Sequence, residues 1–234
     1  MRKFVICLVM LLLVSSPASA CIGARQAAMG WAGVAISDDA TASYWNPAAM
    51  VWAKDGVMYD NFLDRTAVAA KVGNVGLHYV KEWDKAYCAI GYGHQLSNNT
   101  SIGVNVGLAN YGNSRDELFT DVSYIHHVGE LTFGVLAQNF SNIRPEIAYT
   151  SNFLTVTAGF YDLFDVCKNY NDDGASVRDF HSGVELRPVS FLALRSGYNS
   201  DYENLIYGAG IKLSFLSIDF VHMEEDYCSV TFKF

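Results

Sequence analysis

The stretch Tyr227–Phe234, YCSVTFKF, decides the fold. In an extended chain successive side chains point to opposite faces. Cys228, Val230, Phe232 and Phe234 therefore share one face, and Tyr227, Ser229, Thr231 and Lys233 share the other. Chain ends are ordinarily frayed and polar, whereas this one stops on an aromatic at the end of an alternating run. The same period of two recurs upstream. Across 204–214, Leu205, Tyr207, Ala209, Ile211 and Leu213 oppose Ile206, Gly208, Gly210, Lys212 and Ser214. Across 100–110, Ile102, Val104, Val106 and Leu108 oppose Gly103, Asn105, Gly107 and Ala109. Across 179–188, Phe180, Val184 and Leu186 oppose His181, Glu185 and Arg187.

From Gly56 onward, short alternating runs are cut by Asn, Gly, Asp, Ser and Pro clusters, which is an all-β pattern. It predicts strands over 56–62, 65–73, 75–83, 86–95, 100–110, 118–128, 130–140, 144–150, 153–163, 179–188, 191–199, 204–214, 216–223 and 227–234. That makes fourteen antiparallel strands; the weakest signals are 144–150 and 56–62, and twelve is the alternative count. Two architectures fit such alternation. In a soluble sandwich the apolar face is the core. In a membrane barrel it meets lipid, and the small and polar face looks into the lumen.

Connector lengths separate the two. With Phe234 placed on the periplasmic side, alternate connectors are short: SFL, RPVS, TSN, HVGE, LSNNT and GN. The opposite set holds the longest ones, including NFSNIRP, YGNSRDEL and DLFDVCKNYNDDGASVRD. Short periplasmic turns and longer outer loops are the habit of outer-membrane barrels. The terminal strand then has a physical reason to be apolar and abrupt. It ends in the aromatic girdle at the interface and closes against the first strand, removing the sheet edge.

The N-terminus agrees with export. MRKFVICLVMLLLVSSPASA has a basic start, an apolar run from Phe4 to Val14 and an Ala18-x-Ala20 ending, the pattern of a signal peptide over 1–20. Eleven apolar residues are too few for a membrane-spanning helix. The whole chain has a formal charge of −8, and loss of the signal takes it to −10. An acidic exported chain without a basic stripe is a poor nucleic-acid partner. Cys21, Cys88, Cys167 and Cys228 remain, with pairing left open. Cys21, just after the cleavage point, is a possible lipidation site.

Residues 21–55 are not strand-like. The run GARQAAMGWAGVAISDDATASYWNPAAM, Gly23 to Met50, resembles the opening of the PorV/PorQ-like outer-membrane proteins, related to the FadL (OMPP1) transport superfamily. The resemblance rests on Gly23, Arg25, Met29, Gly30, Ala32, Gly33, Asp38, Asp39, Ala40, Ala42, Trp45, Asn46, Pro47 and Ala48, and later on HSGVELRPVSFLALRSGY and YGAGIKLSFLSIDF. It implies a fourteen-stranded barrel over 56–234 with residues 21–55 folded inside as a hatch. It also implies that Val230, Phe232 and Phe234 form the signal read by the barrel-assembly machinery. Physical reasoning agrees, since a barrel of this width is either a channel or plugged. Asn46-Pro47 is a turn signal, and the small residues of the segment allow close backbone packing.

Catalytic signatures are lacking. His126 and His127 are adjacent, so on a regular strand they face opposite ways and do not chelate one metal together. No nucleophile-elbow motif occurs. KNYNDDGASVRD lacks the register of a calcium loop. No enzyme activity, metal or cofactor is implied. On the strand parity Lys71, Asp121, Glu185, Arg187, Arg195, Lys212, Asp219 and Lys233 point into the lumen. They would bind the hatch to the wall as ion pairs, or line a polar path. Three functions follow. A transporter of hydrophobic small molecules would show an apolar pocket near the hatch. A PorV-like barrel that binds exported proteins would show a protein-binding outer rim. A soluble exported sandwich would fold without detergent.

Overall fold

A computed structural model of the chain describes residues 22–62, 65–111, 116–140, 142–161, 163, 180–200, 205–223 and 226–234. Residues 1–20, Cys21, Cys167 and the KNYNDDGASVRD run lie outside these. Fourteen antiparallel strands close into one barrel, with each strand paired to its sequence neighbours and β1 paired to β14. They are β1 Gly56–Phe62, β2 Arg65–Val72, β3 Val75–Glu82, β4 Lys85–Ser97, β5 Thr100–Tyr111, β6 Asp116–Val128, β7 Leu131–Gln138, β8 Asn142–Thr150, β9 Leu154–Phe160, β10 Phe180–Val189, β11 Leu192–Asn199, β12 Leu205–Lys212, β13 Leu216–His222 and β14 Asp226–Lys233. Every expected strand is present, and the twelve-strand alternative falls. The strands run from seven to thirteen residues.

The terminal strand does close the barrel. Val57 lies opposite Phe232 and Tyr59 opposite Val230, and the Phe234 N–H donates to the Asp55 carbonyl. The connectors at this end of the barrel, the turn end, are two or three residues long. At the other end, the rim end, they reach nineteen residues between β9 and β10.

The faces are inverted relative to a soluble domain. On β5, Ile102, Val104, Val106 and Leu108 are 38–45% exposed, whereas Ser101 and Asn105 are fully buried. A sandwich core would show the opposite, so the soluble-sandwich expectation is overturned. Exposed aromatics cluster at both ends of the outer face, with Phe153, Phe191, Phe215 and Phe234 at the turn end and Trp83 and Phe140 at the rim end. Among the described residues no helix is long and apolar enough to cross a membrane, and such a barrel would cross with strands.

Residues 22–55 pack against the inward-facing wall. They form helix α1 Ala24–Ala28, helix α2 Ala42–Trp45 and a 3-10 turn Pro47–Val51. Asn46 caps that turn by accepting the Ala48 N–H, and Pro47 occupies its first position, where no backbone donor is needed. Wall glycines let the segment approach. A Cβ at Gly183 would lie 2.5 Å from the Met29 carbonyl oxygen, and one at Gly197 would strike the Met29–Gly30 backbone. Gly30 itself sits at φ +73°, a region glycine enters without penalty.

Candidate functional site

The inner segment is held by polar groups on the wall, each placed by strand parity. At the rim end the Gly23 N–H donates to Asp60 Oδ2 at 2.8 Å, and Arg65 holds that carboxylate from the other side at 3.0 Å. The Ala24 N–H donates to Ser229 Oγ. Further along, one carboxylate carries a whole turn of backbone. The Gly33 and Val34 N–H groups donate to Glu146 Oε2 at 3.0 and 2.9 Å, and the Ala35 N–H to Oε1 at 3.1 Å. Thr157 Oγ1 donates to the same carboxylate at 2.8 Å, and His181 Nε2 lies 3.5 Å away.

The second half of the segment is tied as firmly. Asn46 Nδ2 donates to the Val34 carbonyl, and Trp45 Nε1 to the Ile22 carbonyl at 3.0 Å, which joins the two halves. Asn105 Nδ2 donates to the Ser43 carbonyl at 3.0 Å and approaches Asp121 at 3.3 Å. The Ala48 N–H donates to Ser123 Oγ, and its carbonyl accepts from Ser101 Oγ. Lys71 Nζ reaches the Ala53 carbonyl and, at 2.7 Å, Asp55 just before β1.

The central feature is Glu185 on β10, buried completely. Four cations surround it. Arg25 Nε lies at 3.1 Å, Arg195 Nε at 2.7 Å and Lys212 Nζ at 3.6 Å, and Arg187 forms a further ion pair. Arg195 also pairs with Asp219 at 2.7 Å, and Arg25 with Asp38. Burying a carboxylate is expensive unless ion pairs and hydrogen bonds satisfy it. Here the compensating charge comes from both the wall and the inner segment, so Glu185 fixes one to the other. Asp39 sits beside the network and accepts from the Thr41 N–H and hydroxyl. Burial, then the neighbouring Asp38 charge, pushes its carboxyl above the usual range. For Asp38, partial enclosure pushes upward, but Arg25 and then Lys212 prevail and hold it below that range.

Of the sequence-derived lumen charges, Glu185, Arg187, Arg195, Lys212 and Asp219 thus meet in one network with Arg25 and Asp38. Lys71, Asp121 and Lys233 face inward elsewhere, Lys233 donating to Ser217 Oγ at 2.7 Å. Val230, Phe232 and Phe234 lie on the outer face of the closing strand. Sequence reasoning missed Asp60, Arg65, Arg144 and Glu146, all inward and buried. It also passed over His181 and Asn105 as anchors, although their parity was legible.

Two regions of the lumen differ in character. Toward the rim end Val80, Ile206, Val221 and Tyr227 form an apolar cluster with α1, against which Tyr44, Tyr87 and Met223 pack. Toward the turn end a cavity of about 500 Å³ opens between residues 35–38, Trp52 and the β6–β7 and β8–β9 turns. Ile36, Trp52 and Ile125 supply apolar lining, and Arg25, Asp38, Glu130, Arg187 and Lys212 its charges. Among the described residues no group of His, Cys, Asp and Glu has the arrangement of a metal site, and Cys88 and Cys228 are free thiols.

No family model matches the chain, and no curated protein matches it in sequence. Solved structures do share its fold. The Ralstonia pickettii toluene transporter TbuX superposes with a TM-score of 0.67 at 11% identity, covering 92% of this chain and 98% of that one. The CymD monoaromatic hydrocarbon channel superposes with a TM-score of 0.59 at 9% identity, covering 92% and 98%. At these identities the likeness is one of fold.

Proposed function

We propose that the chain is a bacterial outer-membrane barrel that passes small hydrophobic molecules. In this reading residues 1–20 direct export, residues 21–55 are the plug, and the turn end faces the periplasm. The barrel-assembly machinery reads Val230, Phe232 and Phe234 on the closing strand. One observation carries the transport reading. The lumen is filled by a polar-anchored segment whose rim side is apolar and aromatic, around Tyr44, Tyr87, Ile206 and Met223. A water-filled pore would be lined by polar groups throughout. An apolar cluster under the rim instead offers a hydrophobic molecule a place to leave water. The shared fold with a toluene transporter and a monoaromatic hydrocarbon channel supports the same class of cargo.

The test has two steps. Tagged protein is recovered from separated membranes and run boiled and unboiled on a gel. Outer-membrane recovery with a heat-dependent mobility shift is expected; recovery in the soluble periplasm overturns the barrel reading. Cells with and without the protein are then compared for uptake of labelled toluene and of glucose. Faster toluene entry with unchanged glucose entry is expected. Equal toluene entry in the two strains overturns the transport reading.

A further inference from the structure

We propose that removal of residues 1–20 creates a further wall anchor for the plug: the new α-ammonium of Cys21 pairs with the buried carboxylate of Glu82 on β3. The inference rests on the export part of the proposed function and not on any cargo.

The path of the chain leads there. Helix α1 packs on β11–β14. Running backward from α1, the backbone crosses the wall one strand at a time. The Ala24 N–H donates to Ser229 on β14, and the Gly23 N–H to Asp60, which lies opposite Ser229 on β1. Ile22 is wholly buried in a cluster that includes Met58, Ala67 and Val80, inward side chains of β1, β2 and β3. Trp45 Nε1 fixes the Ile22 carbonyl from the plug side at 3.0 Å. Whatever is joined to Ile22 therefore begins inside the wall, on the side of β2 and β3.

That corner holds a carboxylate with no bond of its own. Its inward titratable groups among the described residues are Asp60, Arg65, His78, Glu82 and the half-buried Lys85. Asp60 already accepts from Arg65 and from the Gly23 N–H. His78 lies edge-on to Tyr44. Glu82 is 7% exposed and stands in register between Arg65 on β2 and Lys85 on β4, yet it forms no hydrogen bond or ion pair with either. Burying such a group without a partner is costly. Asp60 lies opposite Ala67, and Ala67 opposite Val80, two residues from Glu82. Two strand spacings, about 10 Å, thus separate the Gly23 anchor from β3. Two extended residues span about 7 Å, and the glutamate side chain covers the remainder.

Hydrolysis of the Ala20–Cys21 bond by a signal peptidase consumes one water and leaves a carboxylate on Ala20 and an ammonium on Cys21. An α-amino group titrates at about 8 and is mostly charged at neutral pH. Processing supplies the cation, so the plug locks after the signal has left. A lipidated Cys21 does not fit this place. Its amine would be an uncharged amide, and its acyl chains would begin inside the wall rather than in lipid.

The experiment expresses the full chain with its signal and purifies the exported barrel in detergent. Intact mass is expected to match a chain that begins at Cys21 and carries no acyl group. The amine is then methylated with formaldehyde and cyanoborohydride across pH, and the N-terminal peptide is quantified by mass spectrometry. Only the neutral amine reacts. A partner worth one charge-assisted hydrogen bond therefore slows labelling at neutral pH about tenfold and raises the midpoint by about one pH unit. Glu82→Gln should undo both, and Glu82→Asp should retain them in part, whereas burial alone acts alike on all three proteins. Heat-dependent gel mobility confirms that each variant is a folded barrel. An unchanged midpoint in Glu82→Gln, a wild-type midpoint no higher than that of the urea-unfolded chain, or an acylated Cys21 overturns the pairing and leaves export standing. A chain that still begins at Met1 overturns the pairing and the export reading together.

Discussion

Removing the Glu146 carboxylate should release one part of the plug and leave the wall intact. Glu146→Ala strips the acceptor from the Gly33, Val34 and Ala35 N–H groups at once. The Glu146 side chain is completely buried, so water does not simply take its place. A buried donor left without a partner costs about 1–3 kcal/mol. Three of them, at the low end, amount to about 3 kcal/mol of local stability. At a factor of ten for every 1.4 kcal/mol, backbone hydrogen exchange over residues 33–35 should accelerate by about a hundredfold. Glu146→Gln should fall between, because its amide nitrogen faces an N–H that needs an acceptor. Exchange is measured on the detergent-solubilised barrel, with Ala48 as an internal reference because it bonds Ser123 instead. Barrel integrity is checked by heat-dependent mobility. A folded Glu146→Ala barrel whose 33–35 amides exchange within about threefold of the wild-type rate, less than roughly 0.7 kcal/mol, would refute the anchoring role.

Other perturbations follow from the same geometry. Val106→Arg places a charge on the outer face midway along β5 and should lower barrel stability by about 2–4 kcal/mol in a lipid bilayer, read by denaturant titration in vesicles. Deleting residues 226–234 removes the partner of both β1 and β13, so no heat-modifiable barrel should form. Gly197→Val drives a side chain into the Met29–Gly30 backbone and should raise protease cleavage of the plug while the strands persist. The pH response should have two legs of opposite sign. The raised carboxyl of Asp39 contributes fully below the ordinary carboxyl range and loses its contribution as pH rises through its own value. The depressed carboxyl of Asp38 contributes above the ordinary range and loses it as pH falls through its own value. Asp39→Asn should abolish the first leg alone in exchange measurements across pH.

The barrel was legible because an apolar outer face and a polar inner one impose a strict period of two. Every strand from Gly56 to Lys233 lies within three residues of its expected bounds. The largest difference is at the rim, where β9 ends at Phe160, three residues before its expected end, because rim strands extend or stop without a change of face. The inward charges were legible by the same parity. Arg144 and Glu146 were lost because Pro145 stands between them, and a proline within a strand run weakens its signal. In the structure Pro145 sits opposite Val135 on β7, and pairing with β9 begins only at Glu146. Asp60 was lost for a different reason. It lies near the end of a short strand followed by Asn61, and such polar pairs read as turn residues. Which plug residue each wall group would meet was beyond any one-dimensional pattern. That the Gly33–Ala35 amides converge on one carboxylate depends on the path of the segment across the lumen.

That path implies an order of opening. Residues 23–35 are tied to the wall by Asp60, Ser229, Glu185 and Glu146, and residues 43–53 by Asn105, Ser123, Ser101 and Lys71. Between them, residues 36–41 rely on bonds within the plug. Asp38 pairs with Arg25 and accepts the Lys54 N–H through its carbonyl, Asp39 holds Thr41, and Ser37 bonds back to Gly33. This stretch also borders the cavity. Local stability follows the density of such ties, so residues 36–41 should open before either flank. In the wild-type protein their amides should exchange faster than those of 24–35 and 43–50. Equal protection along the whole plug would mean that it opens as one unit, and that the two sets of wall anchors do not divide it.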